Sequence, residues 1–257
     1  MRETCGLFNL SGKLAVVTGA NRGLGAGIAV ALAEAGADIV GLSRSMPTDG
    51  GDTALSVRQL GREFVPLRAD LATPGAPANI VHSLARLGRP VDILVNNAGI
   101  ANRAPAEDHS DSQWDEVMTV NLSAPFALAR ALGAPMLERG EGKIIFLASM
   151  MSYQGGRNVV SYTAAKSGVT GVVHALANEW AGRGVNVNAI APGYIATDLT
   201  AGSHGDAELK RAFIDRIPAG RWGTPQDVAG AAVFLASAAS NYVHGIVLPV
   251  DGGWLVR

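Results

Sequence analysis

Short apolar runs alternate with longer segments of helical periodicity along this chain. Seven runs rich in Val, Ile and Leu predict β-strands, at Leu14–Thr18, Asp38–Leu42, Phe64–Leu67, Ile93–Asn96, Ile144–Ala148, Val185–Ile190 and Ile246–Val250. The segments between them predict helices, at Gly25–Ala35, Ala54–Gly61, Ala78–Leu87, Ser112–Glu138, Ser161–Ala181, Asp206–Arg216 and Pro225–Ala236. Apolar strands separated by helices are typical of a parallel sheet covered on both faces. We therefore predict an α/β protein: one doubly wound domain over residues 1–257, with a mostly parallel seven-stranded sheet.

The composition narrows the class of protein. Hydrophobic residues make up 48% of the 257 residues and charged residues 17%, which excludes a disordered or coiled-coil chain. The formal net charge of −1 offers no basic surplus for phosphates, so we expect no nucleic-acid partner. The single cysteine, Cys5, excludes an internal disulfide framework and a cysteine-based zinc site. Without an apolar run of about 18 residues or a secretory signal, we expect a cytoplasmic protein with no membrane partner.

The turn after the first predicted strand is rich in glycine. Gly19, Gly23 and Gly25 have the spacing G-x-x-x-G-x-G and lead into a predicted helix. Glycines let the backbone approach a pyrophosphate, which then lies on the free N–H groups of the helix N-terminus. We therefore predict a dinucleotide site here; a turn that only packs strand on helix is the alternative. The residues between the glycines belong to the same predicted site: Asn21, Arg22 and Leu24.

Two further turns lie at the ends of predicted strands. Asp70 and Leu71 follow the third strand, where the Asp70 carboxylate can accept a hydrogen bond from an adenine amino group or cap a helix. Asn97, Ala98 and Gly99 follow the fourth strand, in a turn that can also be a simple strand exit. Because ligands of open α/β sheets bind at the carboxyl ends of the strands, we predict that both turns line the cofactor site.

A tyrosine and a lysine stand one helical turn apart. Tyr162 and Lys166 place a phenol and an ammonium on one face of a predicted helix, with Cβ atoms about 5–6 Å apart. A unit charge about 4 Å away is worth about 4 kcal/mol at an effective dielectric of about 20, which predicts a tyrosine pKa lowered by about three units. Ser149, after the fifth predicted strand, can donate its hydroxyl to a substrate oxygen shared with the tyrosine; Ser152 is the weaker alternative. An exposed helical pair without a catalytic role is the other interpretation.

An asparagine and a proline interrupt the long helix predicted over Ser112–Glu138. Asn121 is not favoured inside a helix, and Pro125, four residues later, has no N–H to bond the Asn121 carbonyl. That carbonyl can hold a water that bridges to the Lys166 ammonium and passes protons outward. We therefore predict a catalytic role for Asn121; a kink that serves only packing is the alternative.

Four motifs together resemble the short-chain dehydrogenase/reductase family. They are T-G-x-x-x-G-x-G at residues 18–25, N-N-A-G at residues 96–99, Y-x-x-x-K at residues 162–166 and P-G at residues 192–193. The resemblance covers Leu10 to Arg257 and implies a Rossmann-like fold and hydride transfer with a nicotinamide cofactor. It also implies that Ser149 polarises the substrate oxygen, that Tyr162 transfers the proton and that Lys166 also holds the nicotinamide ribose. A matching asparagine, here Asn121, has the proton-relay role in the family.

The loop after the sixth predicted strand resembles the family's nicotinamide-side loop. Its residues Pro192, Gly193, Ile195 and Thr197 are therefore expected at the cofactor. The resemblance implies that Thr197 and the backbone of Ile195 hold the carboxamide. The stretch Asp198–Gly205, rich in small residues, is predicted to act as a lid.

The end of the second predicted strand favours NADP(H) as the cofactor. In NAD enzymes of this fold, a short acidic side chain at that position binds the ribose hydroxyls. Ser43 and Arg44 stand there instead, so a 2′-phosphate meets no carboxylate and Arg44 can pair with it. Arg22 is a second cation within reach. NAD(H) remains possible, because both arginines can instead be solvated surface residues.

Within the family, the chain is similar to bacterial sugar-acid dehydrogenases of the 2-deoxy-D-gluconate 3-dehydrogenase and gluconate 5-dehydrogenase group. The similarity rests on residues 148–156, 178–180, 215–223 and 250–255. A sugar acid needs a cation for its carboxylate and donors for its hydroxyls. We predict Arg103 first, then Arg157, as the carboxylate clamp, and Gln154 as a group that reads a hydroxyl. We expect no metal, because these histidines lack metal-ligand spacing: His109, His174, His204 and His244.

The sequence therefore predicts an NAD(P)-dependent oxidoreductase that interconverts a secondary alcohol and a ketone on a sugar acid. A 3-oxoacyl thioester reductase is the enzymatic alternative, although it would favour a basic patch for a carrier protein. A dinucleotide-binding regulator is the non-enzymatic alternative, and it would be expected to have lost Tyr162 or Lys166. The resemblance further implies a homo-oligomer, frequently a tetramer, with Ser112–Glu138, Ser161–Ala181 and the C-terminal segment at the interfaces.

Overall fold

A parallel β-sheet forms the centre of the molecule. The computed structural model describes residues 6–197, 200 and 207–257. Its strands are β1 (Leu14–Thr18), β2 (Asp38–Ser43), β3 (Phe64–Arg68), β4 (Ile93–Asn96), β5 (Gly142–Leu147), β6 (Val185–Pro192) and β7 (Val247–Val250). Within the described residues these seven strands form one sheet in the order β3-β2-β1-β4-β5-β6-β7, and all neighbouring strands are parallel. The predicted α/β fold is therefore confirmed.

Helices cover both faces of this sheet. They are α1 (Gly23–Glu34), α2 (Gly51–Gln59), α3 (Ala76–Ala85), α4 (Asp111–Met118), α5 (Ala124–Arg139), α6 (Val160–Trp180), α7 (Ala207–Arg216) and α8 (Pro225–Ala236). Successive residues of β1 point to opposite faces, as the pleat of a strand requires. Leu14 and Val16 join a buried cluster with residues of α3, α5 and α6, whereas Ala15 and Val17 join one with residues of α1, α2 and α8. The sheet is thus wound on both sides.

One predicted helix is broken in the structure. Ser112–Glu138 was expected to be continuous, but α4 ends at Met118, a π-helical turn spans Thr119–Ser123, and α5 then begins. The break falls where Pro125 has no N–H for the carbonyl four residues before it. The ends of the other predicted elements shift by no more than three residues within the described part of the chain.

The stretch 111–139 is also the one segment, among the described residues, that is long and apolar enough to cross a membrane. Half of its most apolar window is buried inside the fold. Leu128, Ala129 and Met136 of α5 are fully enclosed in the cluster below β4 and β5. Its apolar character is therefore accounted for by packing against the sheet.

The strand order reverses between β1 and β4. From β1 the chain winds outward to β2 and β3, then returns to β4 on the other side of β1 and winds outward to β7. The loops at the carboxyl ends of β1 and β4 consequently diverge and leave a crevice between them. Ligands of open α/β sheets bind at such a reversal point.

Candidate active site

A cleft of about 920 Å³ opens at the carboxyl ends of the strands. It is lined by loops that follow β1, β2, β3, β4, β5 and β6. All the residues that the sequence assigned to the cofactor line it: Gly19, Asn21, Arg22, Gly23, Leu24, Gly25, Ser43, Arg44, Asp70, Leu71, Asn97, Ala98, Gly99, Tyr162, Lys166, Pro192, Gly193, Ile195 and Thr197. The fold therefore brings together residues that are up to 178 positions apart, from Gly19 to Thr197.

The glycine-rich turn is packed too tightly for side chains at two positions. Gly19 has a φ of +71°, and a Cβ there would lie 2.7 Å from Nδ2 of Asn97. A Cβ on Gly25 would overlap the Gly19 carbonyl. Helix α1 then begins with no side-chain cap and no acidic residue in its first turn. Its free N–H groups and positive dipole end are left for an anionic group such as a pyrophosphate.

A single hydroxyl joins the turn after β4 to the end of β1. The Thr18 Oγ1 accepts hydrogen bonds from the backbone N–H groups of Asn97 and Ala98, each at 2.9 Å. The Asn97 Nδ2 donates in return to the Thr18 carbonyl at 2.7 Å. These bonds fix the two walls of the crevice relative to one another. The turn is therefore more than a simple strand exit.

Polar groups line the cleft where β2 ends. None of the residues at the end of that strand is a carboxylate. The Ser43 Oγ is buried and has no hydrogen-bond partner among the described residues. Arg44 beside it is exposed, and its carbonyl accepts a bond from the Arg68 Nε at 3.1 Å. Asp70 accepts a bond from the Ala72 N–H at 3.0 Å while lining the cleft, so it caps the local turn and faces the cleft as well.

These features fit a phosphorylated dinucleotide. An uncapped helix N-terminus, two glycines whose Cβ atoms would fill the cradle, and a buried hydroxyl without a partner all lie along one cleft. Each is a group that a pyrophosphate or a ribose would satisfy. The end of β2 carries Ser43 and Arg44 and no acid, and Arg44 and Arg22 both line the cleft.

The predicted catalytic residues meet at the other end of the cleft. Helix α6 carries Tyr162 and Lys166 one turn apart, with the lysine Nζ 5.6 Å from the centroid of the tyrosine ring. Lys166 is 4% exposed and donates to the Leu147 carbonyl at 2.5 Å. Ser149 follows β5 directly and is buried at the cleft wall. Ser152, the alternative hydroxyl, instead donates to the Lys166 carbonyl at 2.7 Å.

The prediction that Lys166 lowers the pKa of Tyr162 by about three units is wrong in direction. Burial raises the pKa of Tyr162 above its usual value, and the hydrogen bond from Ser149 and the charge of Arg103 only partly offset this effect. Burial also lowers the pKa of Lys166 to about 8. The prediction failed because it counted the attraction between the charges but not the loss of water around both groups.

Asn121 supports the lysine from behind the cleft. It is 1% exposed in the π-helical turn, and its side-chain amide exchanges two hydrogen bonds with the backbone of Ile100, at 2.9 and 2.8 Å. A Cβ on Gly99 would lie 3.3 Å from the Asn121 Oδ1 and 3.8 Å from the Lys166 Nζ. The asparagine, the turn after β4 and the lysine are therefore close neighbours, although Asn121 does not itself line the cleft. The bridging water stays a prediction.

The substrate end of the cleft includes the three polar residues expected there. Arg103, Gln154 and Arg157 all line it. The two loops that carry them are tied together by a bond from the Ala104 N–H to the carbonyl of Asn158, at 3.1 Å. Asn158 adopts a φ of +61°, which asparagine tolerates better than most residues.

The lining residues that the sequence did not predict include Tyr194, Arg216 and Trp254. They come from the loop after β6, from α7 and from the C-terminal turn, and no spacing motif joins them. The predicted lid, Asp198–Gly205, lies outside the described residues except for Thr200, which lines the cleft.

A dinucleotide cradle at a strand-order reversal, beside a buried serine, a buried lysine and a half-buried tyrosine, defines a nicotinamide-dependent oxidoreductase. Comparisons with known proteins agree. A family model described as enoyl-(acyl carrier protein) reductase matches residues 19–255. A 2-dehydro-3-deoxy-D-gluconate 5-dehydrogenase of Pseudoalteromonas atlantica is 51% identical over 250 residues, 97% of this chain and 98% of that protein. Its counterpart in Escherichia coli is 50% identical over 252 residues, again 97% and 98%.

Solved structures give the same result. A gluconate 5-dehydrogenase from Burkholderia cenocepacia, in complex with NADP and tartrate, is 37% identical with a TM-score of 0.93, and the match covers 99% of both chains. A candidate NAD(P)-dependent gluconate 5-dehydrogenase from Beutenbergia cavernae, with bound NADP, is 51% identical with a TM-score of 0.93, covering 98% of this chain and 100% of that one. The chain belongs to the short-chain dehydrogenase/reductase family, as the motifs predicted.

The hydroxyl between β1 and β4 gives a first test. The Thr18→Val variant keeps the shape of the side chain but removes the acceptor of the half-buried Ala98 N–H, whereas the Asn97 N–H still has the Val95 carbonyl at 3.1 Å. We therefore expect the free energy of unfolding to fall by about 2 kcal/mol. Thr18→Ser keeps the acceptor and loses one methyl group, at a cost of about 1 kcal/mol. Urea denaturation of both variants measures the difference. Equal losses would show that the hydroxyl bonds contribute nothing beyond packing.

The buried lysine makes stability depend on pH. The pKa of Lys166 is about 8 in the folded protein, whereas an ordinary lysine, as in the unfolded chain, has a pKa of 10.5. Between pH 8 and 10.5 the unfolded chain therefore binds more protons than the folded protein. The free energy of unfolding of the cofactor-free protein should therefore rise from pH 8 towards 10.5, by up to about 3 kcal/mol from this group. Lys143, whose pKa burial also lowers to about 8, acts in the same direction. Tyr162, whose pKa is raised, acts oppositely above pH 10.

Denaturation curves from pH 7 to 10, for the wild type and for Lys166→Met, check this expectation. In the Lys166→Met variant, the free energy of unfolding should still increase with pH by the amount that Lys143 contributes. The increase that Lys166 contributes should be absent. A variant with the same pH slope as the wild type would contradict the assigned burial of the lysine charge.

Proposed function

We propose that this enzyme interconverts a secondary alcohol and a ketone on a sugar acid of the gluconate or deoxygluconate type, with NADP(H) as the favoured cofactor. The observation that carries the proposal is one cleft that contains the Ser149, Tyr162 and Lys166 group, the dinucleotide cradle and cationic side chains at the substrate end. The names of the relatives that are about 50% identical support the substrate class.

Proton transfer belongs to Tyr162 in this proposal. The Ser149 hydroxyl bonds Tyr162 and lowers the pKa of the tyrosine in the structure, and it would turn its single O–H to the oxygen of a bound substrate. Tyr162 gives its phenolic proton to that oxygen during ketone reduction and takes it back during alcohol oxidation. The Lys166 ammonium has one acceptor among the described residues, the Leu147 carbonyl, so further N–H donors remain for a ribose hydroxyl. Asn121 holds the turn beside the ammonium. Its backbone carbonyl would hold a water that bridges to the Lys166 ammonium and passes protons outward.

The cofactor supplies or takes up the hydride at the substrate carbon when it is bound. Gly19, Gly23 and Gly25 would hold its pyrophosphate at the N-terminus of α1. Ile195 and Thr197 would hold the carboxamide. A Cβ on Gly23 would lie 3.7 Å from the Thr197 side chain, so the loop after β6 closes over the glycine-rich turn.

The preference of the enzyme for a cofactor with a 2′-phosphate follows from the residues at the end of β2. Ser43 presents a buried hydroxyl and no negative charge, and Arg44 and Arg22 are exposed cations on the cleft. Neighbouring structures at 51% and 37% identity contain NADP, which supports the same preference.

The sugar acid would be held by arginine at the substrate end. Arg103 is the first choice for its carboxylate, because its charge reaches Tyr162 as well as Tyr194. Arg157 is the second choice, and Gln154 reads a hydroxyl. Among the described residues, neither arginine is engaged in an ion pair.

Reduction of a 3-oxoacyl thioester is the second candidate. The description of the matching family model, an acyl carrier protein reductase, favours it. The net charge of −1 and the arginine-lined substrate end fit a small anion better than a carrier protein and an acyl chain. A silent regulator is the weaker non-enzymatic candidate, since the serine, tyrosine and lysine are all in place. We further propose a single domain, a cytoplasmic location and a homotetramer.

Removing the phenolic hydroxyl tests the reaction. We expect Tyr162→Phe to lower kcat with 5-keto-D-gluconate and with 2-dehydro-3-deoxy-D-gluconate by about 10²- to 10⁴-fold, because the proton donor is lost. Tyr153→Phe, which changes an exposed tyrosine outside the cleft, should keep wild-type turnover. Steady-state rates with each acid, and with an acetoacetyl thioester as comparison, measure the effect. A Tyr162→Phe variant with most of its turnover would refute the assigned chemistry.

The cofactor preference rests on Arg44. Replacing Arg44→Ala removes a charge-assisted contact to the 2′-phosphate, so KM for NADP should rise about 10- to 100-fold while KM for NAD stays unchanged. Arg86→Ala, at an exposed position away from the cleft, is the matched control. An equal rise for both cofactors would mean that Arg44 does not read the phosphate.

A further inference from the structure

An aromatic cluster closes the substrate end of the cleft. The Tyr194 ring lies 4.3 Å from that of Phe213 and 4.8 Å from that of Trp254, measured between centroids, and Trp222 lies 5.2 Å from it. The loop after β6, helix α7 and the C-terminal turn are thus joined through one tyrosine. Trp254 is 3% exposed and gives the cluster a rigid base.

Arg216, at the end of α7, is fixed against this cluster. Its guanidinium carbon lies 4.0 Å above the Trp254 ring, in a cation–π contact. Arg257 donates to the Asp215 carbonyl at 2.9 Å, which ties the C-terminus to the same helix end. Among the described residues, ion pairs involve Lys13, Arg89 and Arg221 but not Arg216. A cation that lines a cleft and has no carboxylate partner can receive an anion.

A second arginine approaches the same tyrosine from another element. Arg103, in the loop after β4, and Arg216 both act electrostatically on the Tyr194 hydroxyl and lower its pKa, although burial raises it overall. The hydroxyl therefore remains a hydrogen-bond donor at neutral pH. Only Arg103 also acts on Tyr162. All four groups, Tyr162, Arg103, Tyr194 and Arg216, line the same cleft.

We infer that Arg103, Arg216 and Tyr194 together form the subsite for the substrate's carboxylate, with Trp254 holding Arg216 in position. The inference rests on the proposed sugar-acid function and deepens it. A carboxylate beside Tyr194 would accept hydrogen bonds from two guanidinium groups and from the tyrosine O–H. Its two oxygens have enough lone pairs for all of these donors. Arg216 and Trp254 belong to elements other than those that carry Ser149 and Tyr162, so the carboxylate and the reacting carbon are held by different parts of the chain.

A pair of substrates isolates the carboxylate. 5-Keto-D-gluconate carries it, and in L-sorbose a hydroxymethyl group stands in its place. We expect Arg216→Gln to raise KM for 5-keto-D-gluconate about 10- to 100-fold and to leave KM for L-sorbose and for NADP unchanged. Arg216→Lys should recover part of the loss, because the charge remains but the planar fork does not. Arg211→Gln, on the exposed side of the same helix, is the matched control and should behave as the wild type.

Binding without turnover provides the second measurement. Calorimetry with tartrate as a carboxylate probe, in the presence of NADP, should give a Kd about 10-fold or more weaker for Arg216→Gln and for Arg103→Gln than for the wild type. An unchanged tartrate Kd, or equal KM changes for the acid and the neutral ketose, would overturn the subsite. A wild type that turns over no sugar acid would instead overturn the proposed function, and the tartrate result would still decide the subsite.

Discussion

A lysine ammonium buried at the end of the sheet is the constraint on which the site depends. Lys166 is 4% exposed, and among the described residues its one acceptor is the carbonyl of Leu147 at the last position of β5. Burial lowers its pKa to about 8, so the charge is held at a cost until a ligand supplies further acceptors. The hydrogen bond from Lys166 to Leu147 ties helix α6 to the end of β5, the strand that Ser149 follows. The same helix carries Tyr162.

The same constraint explains the irregular features around the lysine. Gly99 carries no side chain at a position where a Cβ would lie only 3.3 Å from the Asn121 Oδ1. The π-helical turn directs that amide at the backbone of Ile100, so the turn after β4 is held from both sides by hydrogen bonds. Thr18 completes the frame from β1. Departures from regular structure are concentrated where the site needs fixed polar groups.

Chemistry and specificity are supplied by different parts of the chain. The reacting end is formed by Ser149, which follows β5, and by Tyr162 and Lys166 on α6, next to the sheet. The substrate end is formed by Arg103, by Arg216 on α7 and by Trp254 near the C-terminus. These residues lie on loops and on a peripheral helix. One scaffold can in this way keep its proton-transfer group while its substrate changes.

The periodicity of hydrophobic residues and short sequence motifs were enough to predict the alternating strands and helices, the glycine-rich turn and the Tyr162–Lys166 pair. These features depend on neighbours within about one helical turn or one strand–helix unit. The sequence also identified the missing N–H of Pro125, but it predicted one continuous helix over Ser112–Glu138, and only the structure shows the π-helical turn that divides it. The direction of the Tyr162 pKa shift and the approach of Arg216 to Tyr194 were decided only by the tertiary structure. Burial and contacts between distant segments determine both, and neither quantity is encoded in the spacing of residues along the chain.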